Sequence, residues 1–241
     1  MPRNAILAFF TGQLSKKSFL ILVPVLIAVF YALMVTSAIL YPNQYDPITM
    51  SISSLGDPDK NPFPGWIFFS LAVCWIAITM LPFYVRVFRQ LRHISGKLAE
   101  IDLIFCVISS VGLFLLGCFS ERTPTEIMHY IAAGLAFGGF FLAASLWWIL
   151  IGRYLKTTNQ CGGTASMVIF VIMVVSLSSA IAGLAISQIL ASPSNFIDAS
   201  SWFLQFAFWE WTCVNTINIQ LILLAFIIPG SINASAKKEK K

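Results

Sequence analysis

The chain carries little charge. Only 10% of its 241 residues are Asp, Glu, Lys or Arg, against about 25% in a soluble domain, which excludes an ordinary water-soluble fold. Histidine is scarcer still. Two in the whole chain rule out a multi-histidine metal cage and leave open only a mixed carboxylate–histidine site. The five cysteines are odd in number and show no CxxC spacing. Cys74, Cys106, Cys118 and Cys213 fall in apolar blocks, where a thiol acts as a small hydrophobe, and Cys161 falls in a loop. A disulfide framework is therefore excluded. There is no HExxH, P-loop, dinucleotide glycine motif or Ser/His/Asp triad. Also missing are an intramembrane charge run of the voltage-sensor kind, a pair of Gly/Pro-broken helices of the transporter kind, and an internal repeat.

What the chain has in abundance is long apolar runs. Hydrophobic residues make up 58% of it, gathered into blocks over 18–41, 65–88, 101–119, 128–152, 167–190 and 203–229. A helix needs about 20 apolar residues to cross the hydrocarbon core. Barrel strands would alternate in polarity, and lipid leaves no other partner for backbone polar groups. The sequence predicts an all-α fold, a polytopic bundle of six transmembrane helices spanning 18–230. It is preceded by a cytoplasmic or interfacial segment, 1–17, and followed by a basic cytoplasmic tail, 231–241. The apolar stretch after Lys16 and Lys17 is too long for a signal-peptide core, so it is read as a retained first span. Met1 to Leu14 is either a short interfacial helix or an unstructured tail.

The net charge of +5 does not point to nucleic acid, because the excess is distributed as membrane topology requires. One side collects Arg3, Lys16, Lys17, Arg86, Arg89, Arg92, Lys97, Arg153, Lys156, Lys237, Lys238, Lys240 and Lys241; the other has Lys60 and Arg122. The positive-inside rule then predicts both termini in the cytoplasm. Asp46, Asp57, Asp59, Glu121, Glu126 and Asp198 make the outer side acidic. Asp102 opens the third span from the cytoplasmic side, where the helix dipole favours an acid, and reads as structural.

The outer side also carries the features that suggest chemistry. The loop from Tyr41 to Gly65 is rich in Pro, Asp and Asn and reads as a lid or headgroup-contacting loop. The fourth span starts at Pro124, with Thr123 as N-cap and Glu126 as its capping-box partner. His129 heads a face of small residues, Ala132, Ala133 and Ala136, beside a GxxxG pair, Gly134 and Gly138. Ser176, Ser179, Ala180 and Gly183 form a similar stripe on the fifth span, and such faces are packing seams. Glu210 sits inside the sixth span, where a charge is costly and faces a cavity or a partner. His129, descending from the same side, is that candidate partner. Asn215 and Asn218 are expected to bond to neighbouring helices.

Two segments carry a resemblance: Ile52-Ser-Ser-Leu-Gly with Trp66-Ile-Phe-Phe, and Gly117-Cys-Phe-Ser-Glu with His129-Tyr-Ile-Ala-Ala-Gly. Together they resemble a large prokaryotic six-helix membrane family of unknown function. That group is related to the DRAM/Sfk-type proteins, whose relatives include factors of GPI-anchor lipid remodelling. The shared motif positions are Ser53, Gly56 and His129. DRAM-type proteins usually have an acid after the loop serine, where this chain has Ser54, so the prokaryotic branch is the nearer one. The resemblance implies no established reaction and no cofactor.

The expected site is thus an outer-leaflet polar pocket of Ser53, Gly56, Asp57, Glu126, His129 and Glu210, with His129 and Glu210 as the candidates for catalysis. Such a pocket would bind or process a lipid. The alternatives are a non-catalytic scaffold or subunit that contacts other membrane proteins and, further off, a transporter, which would need a polar path through an inner half that reads as apolar.

Overall fold

A computed structural model describes residues 9–122, 124–157, 163–190 and 205–227; Thr123, Cys161 and the tail 231–241 lie outside them. The described residues form helices α1 (Lys16–Ile39), α2 (Gly65–Thr79), α3 (Leu81–Leu91), α4 (Gly96–Cys118), α5 (Glu126–Thr157), α6 (Gly163–Leu190) and α7 (Phe206–Ile227), with a 3₁₀ turn over Ile52–Gly56. Six stretches are long and apolar enough to cross a membrane: Lys16–Ile39, Gly65–Leu91, Gly96–Cys118, Glu126–Tyr154, Phe170–Ser187 and Phe206–Ile227. They match the six blocks to within a few residues. The second is α2 and α3 in series, broken where Pro82 starts a new helix because proline cannot continue the old hydrogen-bond ladder. Large apolar side chains such as Ile21, Ile39 and Ile127 face outward, 68%, 77% and 72% exposed. Water would not tolerate such a surface, but acyl chains do. This is a multi-pass membrane protein in contact with the bilayer.

The six crossings bring the first and last helices together. Ser15 caps α1 by accepting the Ser18 amide at 3.1 Å. One residue on, Lys16 Nζ donates to the Phe226 carbonyl at the far end of α7 at 2.7 Å, an orphan carbonyl that a cation at a helix C-terminus stabilises. At the same end Arg86 and Arg89 of α3 donate to the carbonyls of Leu14 and Thr11. Gly12, at φ +64°, lets that segment lie against the Arg86 backbone.

Small residues set the closest helix contacts. Ala132 and Ala136 of α5 are buried against Gly112 of α4, where a Cβ would collide with the Ala136 backbone. Ser109 Oγ donates to the Ala136 carbonyl at 2.7 Å. The GxxxG pair is not part of this seam. Gly134 and Gly138 are exposed, with nothing against them, because two helical positions rotate about 200° and carry them to the opposite face. On α6, Ala180 and Gly183 are buried, Gly183 beneath Trp209 of α7, whereas Ser179 faces outward.

Around the bundle, α5 packs on α4, α4 on α2, α2 on α1, α1 on α7 and α7 on α6. Among the described residues α5 is not packed extensively along either α6 or α7.

Gly112→Val should wedge α4 from α5 and cost about 2 kcal/mol or more, as overpacking does. Gly134→Val should change stability by less than about 0.5 kcal/mol. Thermal unfolding of the purified variants in detergent compares the two.

Candidate functional site

The Tyr41–Gly65 loop is folded into the end of the bundle. Every residue of its 3₁₀ turn is buried, so the turn's polar groups need protein partners. Asn61, fully buried, supplies one of them. Its Nδ2 donates to the Leu55 carbonyl at 2.8 Å and to Ser37 Oγ at 3.0 Å, and Ser37 Oγ in turn donates to the Gly65 carbonyl at 2.9 Å. Gly56 lies directly beneath the Phe69 ring, where a Cβ would not fit. Phe69 and Leu55 then close the core below. The rest of the loop is held at its rim. Trp211 Nε1 donates to Tyr45 Oη at 2.8 Å, and that hydroxyl donates to the Met50 carbonyl at 2.9 Å. Burial pushes the Tyr45 phenol above its usual range, so it stays neutral. Asp46 caps a turn by accepting from the Ile48 amide at 3.0 Å and Thr49 Oγ1 at 2.7 Å. Those bonds, the Ile48 amide first, hold its carboxyl below the usual range.

Beneath this plug lies a cavity of about 100 Å³ between α1, α2, α4, α5 and α7. Its walls are apolar: Phe30, Met34, Val73, Phe137, Phe140 and Leu221 among others. Polar groups gather at the loop end, where Ser53, His129 and Glu210 all line it. Glu210, one turn into α7 and partly buried, accepts the Ile52 amide on Oε2 at 2.7 Å. Its carboxylate thus caps the start of the 3₁₀ turn. His129, 6% exposed, points Nδ1 at the Phe119 carbonyl at 2.9 Å. A carbonyl can only accept, so Nδ1 carries the proton. Ser53 Oγ donates to Glu121 Oε2 at 2.8 Å and pairs with Ser51 Oγ at 2.9 Å.

His129 and Glu210 therefore share one cavity but do not hydrogen-bond to each other. Each has its own backbone partner. The remaining expected residues are placed otherwise. Asp57 is buried at 4% exposure, but it accepts the Asp59 amide at 3.0 Å and faces Lys60 Nζ at 3.6 Å, outside the cavity. Gly56 lines a second, more polar hollow with Trp66, Cys118 and Arg122. Glu126 is exposed and accepts from Tyr130 Oη at 3.1 Å. At three positions apart Glu126 and His129 are neighbours on the helix, yet the bundle buries only His129. No cluster of three or more His, Cys, Asp or Glu side chains suited to a metal occurs among the described residues. Cys74, Cys106, Cys118 and Cys213 are free thiols.

Sequence reasoning missed the basic half. Asp102 is two turns into α4 and 1% exposed, beyond the first turn where a helix dipole acts. What holds it is Trp147 Nε1 of α5, donating at 2.8 Å, and the Cys106 thiol at 3.8 Å. Trp147 packs on Tyr84, with ring centroids 6.1 Å apart, and Tyr84 lines the far end of the cavity. Gln220 of α7, fully buried, donates to the Met173 carbonyl of α6. The cytoplasm-assigned half is thus less apolar than its sequence reads. Asn215 and Asn218 share Tyr31 of α1: Tyr31 Oη donates to Asn215 Oδ1 at 2.6 Å and accepts from Asn218 Nδ2 at 3.2 Å.

A family match covers this whole arrangement, from within α1 to the end of α7. The chain belongs to the family described as Protein of unknown function (DUF998), which matches residues 24–227. No curated protein and no solved structure matches it. The DUF998 region contains every residue that lines the cavity and the whole of the buried loop.

Asn61→Ala should remove the short bond to the buried Leu55 carbonyl and the bond to Ser37 Oγ, costing about 2–3 kcal/mol; chemical unfolding in mixed micelles measures it. For the Asp46 turn the sign follows from the depressed carboxyl. Its contribution is fully present above the ordinary carboxylate range and is lost as pH falls through the lowered value. The Ile48 amide resonance in an NMR titration should therefore move below that range, and a midpoint within or above it would contradict the assignment.

Proposed function

We propose that this DUF998 protein handles a membrane lipid, holding an apolar chain inside the bundle with its polar end against Ser53, His129 and Glu210. The observation that carries the reading is the cavity itself. It is apolar along its walls and polar at one end, and it lies between α5 and α7, which are not packed extensively along one another among the described residues. Ala133 and Phe137 of α5 and Val214 and Ile217 of α7 line it and remain part-exposed, so a chain lying in the bilayer reaches it sideways. The Lys and Arg distribution supports placing the loop end at the outer leaflet and both termini in the cytoplasm. The likeness of Ser53, Gly56 and His129 to the motif positions of DRAM/Sfk-type proteins, whose relatives work in lipid remodelling, supports the same class. His129 and Glu210, lining one cavity, also supply the kinds of group that acid/base chemistry on a headgroup would use.

A second reading, a non-catalytic scaffold, is favoured by a specific fact: each of these side chains already ties one segment to another. Single replacements His129→Gln and Glu210→Gln separate the two. A glutamine amide can still donate to the Phe119 carbonyl or accept the Ile52 amide, so folding is preserved. Lipid handling predicts unchanged folded yield and a roughly tenfold drop in co-purified lipid by native mass spectrometry, as one lost buried hydrogen bond gives. Loss of yield with lipid stoichiometry unchanged in the surviving protein supports the scaffold.

A further inference from the structure

The contact between α2 and α4 brings together two thiols that lie outside the cavity. Gly117 sits so tightly on α2 that a Cβ there would stand 2.6 Å from Cys74 Sγ and 3.0 Å from the Ser70 carbonyl. At that approach the Cys74 thiol interacts with the Cys118 thiol, side chain to side chain, and donates to the Phe114 carbonyl at 3.8 Å. A disulfide requires Cα atoms within about 7 Å, and helices come that near where a glycine stands at their contact. We infer that Cys74 and Cys118 form a thiol–disulfide exchange site, which takes a small disulfide from the polar hollow beside it and closes into a bond that clamps α2 to the end of α4. This stands apart from the lipid-binding reading. It also differs from a disulfide framework: both thiols are free, and a single pair opens and closes.

The two sulfurs are placed for different steps. Cys118, the last residue of α4, is exposed. It lines the second hollow together with Ser70, Ser120, Arg122 and Thr125, so a water-borne reagent reaches it. Cys74 is only partly exposed and does not line that hollow. Exchange then runs in two steps. The Cys118 thiolate attacks one sulfur of the small disulfide, breaks its S–S bond and releases one thiolate, leaving a mixed disulfide. The Cys74 thiolate attacks the Cys118 sulfur, breaks the mixed bond and releases the second thiolate. The protons lost by the two cysteines go to the two thiolates released. The protein pair is oxidised by two electrons, and the small disulfide is reduced by the same two.

The other cysteines in the described helices are placed differently. Cys106 is buried and gives its thiol to Asp102, and Cys213 is 2% exposed. Position favours the chosen pair in another way: the Lys and Arg distribution assigns the hollow's end to the outside, the side on which disulfides persist. The clamp closes one residue before Phe119, whose carbonyl holds His129 at 2.9 Å. Oxidation therefore steadies the junction from which part of the cavity's polar end is hung.

The test uses the full chain, reduced, in phosphatidylcholine nanodiscs, with oxidised glutathione as the probe and peptide mass spectrometry as the readout. The unaltered chain should yield a linked Cys74–Cys118 peptide, with Cys106 and Cys213 left free. Cys74→Ser removes the second step, so glutathione should accumulate on Cys118 about tenfold above its level in the unaltered chain, where a neighbouring thiol displaces it. Cys118→Ser should leave Cys74 without adduct. In the linked form the Phe119 and His129 amides, bonded to the Leu115 and Thr125 carbonyls, should exchange hydrogen more slowly than in the reduced form. Glutathione that stays on Cys118 in the unaltered chain with no linked peptide overturns the pairing, and so does a Cys118 that never reacts. A link that forms and leaves both amides exchanging as before overturns the clamp.

Discussion

A polar backbone turn pushed below the rim of a membrane bundle must find a partner for each amide and carbonyl, because the hydrocarbon around it offers none. Much of this structure is arranged to meet that demand. Asn61 serves the Leu55 carbonyl of the 3₁₀ turn, and Glu210 serves its leading amide. The consequence reaches well beyond the loop. A carboxylate inside a transmembrane helix is explained by an amide that needs it. Satisfying that amide with one oxygen leaves the other oxygen facing the cavity. Structure and any ligand chemistry thus meet in the same side chain.

The plug also bounds the cavity: Ile52, Ser53 and Phe69 line its loop end, and Met80 and Tyr84, both buried, line the other. Close packing and the cavity fall to different helix pairs. The α4–α5 seam is locked by glycine and alanine, whereas α5 and α7, not packed extensively along one another among the described residues, both line the cavity.

The parts legible in the sequence were those governed by a repeating rule. Six apolar blocks gave six spans, since length and composition alone satisfy the bilayer. His129 was placed correctly in the interior because it stands three and seven positions from Ala132 and Ala136, and helical periodicity fixes their common face. Glu210 stood out because its chemistry is costly where it sits. The failures share a cause as well. The GxxxG pair looked like a seam because spacing does not reveal which face the neighbour occupies. Asp102 was assigned to the helix dipole because Trp147, 45 residues away, is invisible to local reasoning. Nor does composition show that the Ile52–Gly56 turn is buried: serines and a glycine read as surface, and the turn's partners are Asn61, six residues beyond Leu55, and Glu210, 158 residues beyond Ile52.

The clasp between Lys16 and Phe226 bears on how the chain is made. Helices are synthesised in order, and of these six spans the one formed by α1 precedes the others. Yet α1 packs on α7 as well as on α2, and its Lys16 bonds to a carbonyl on the final turn of α7. The first helix therefore waits through the synthesis of the other five spans with part of its packing surface facing lipid. Among the six spans, the contact that joins the first to the last forms only once α7 has been made. A chain stopped before α7 lacks the carboxylate that caps the buried turn and the partner that α1 was built to meet.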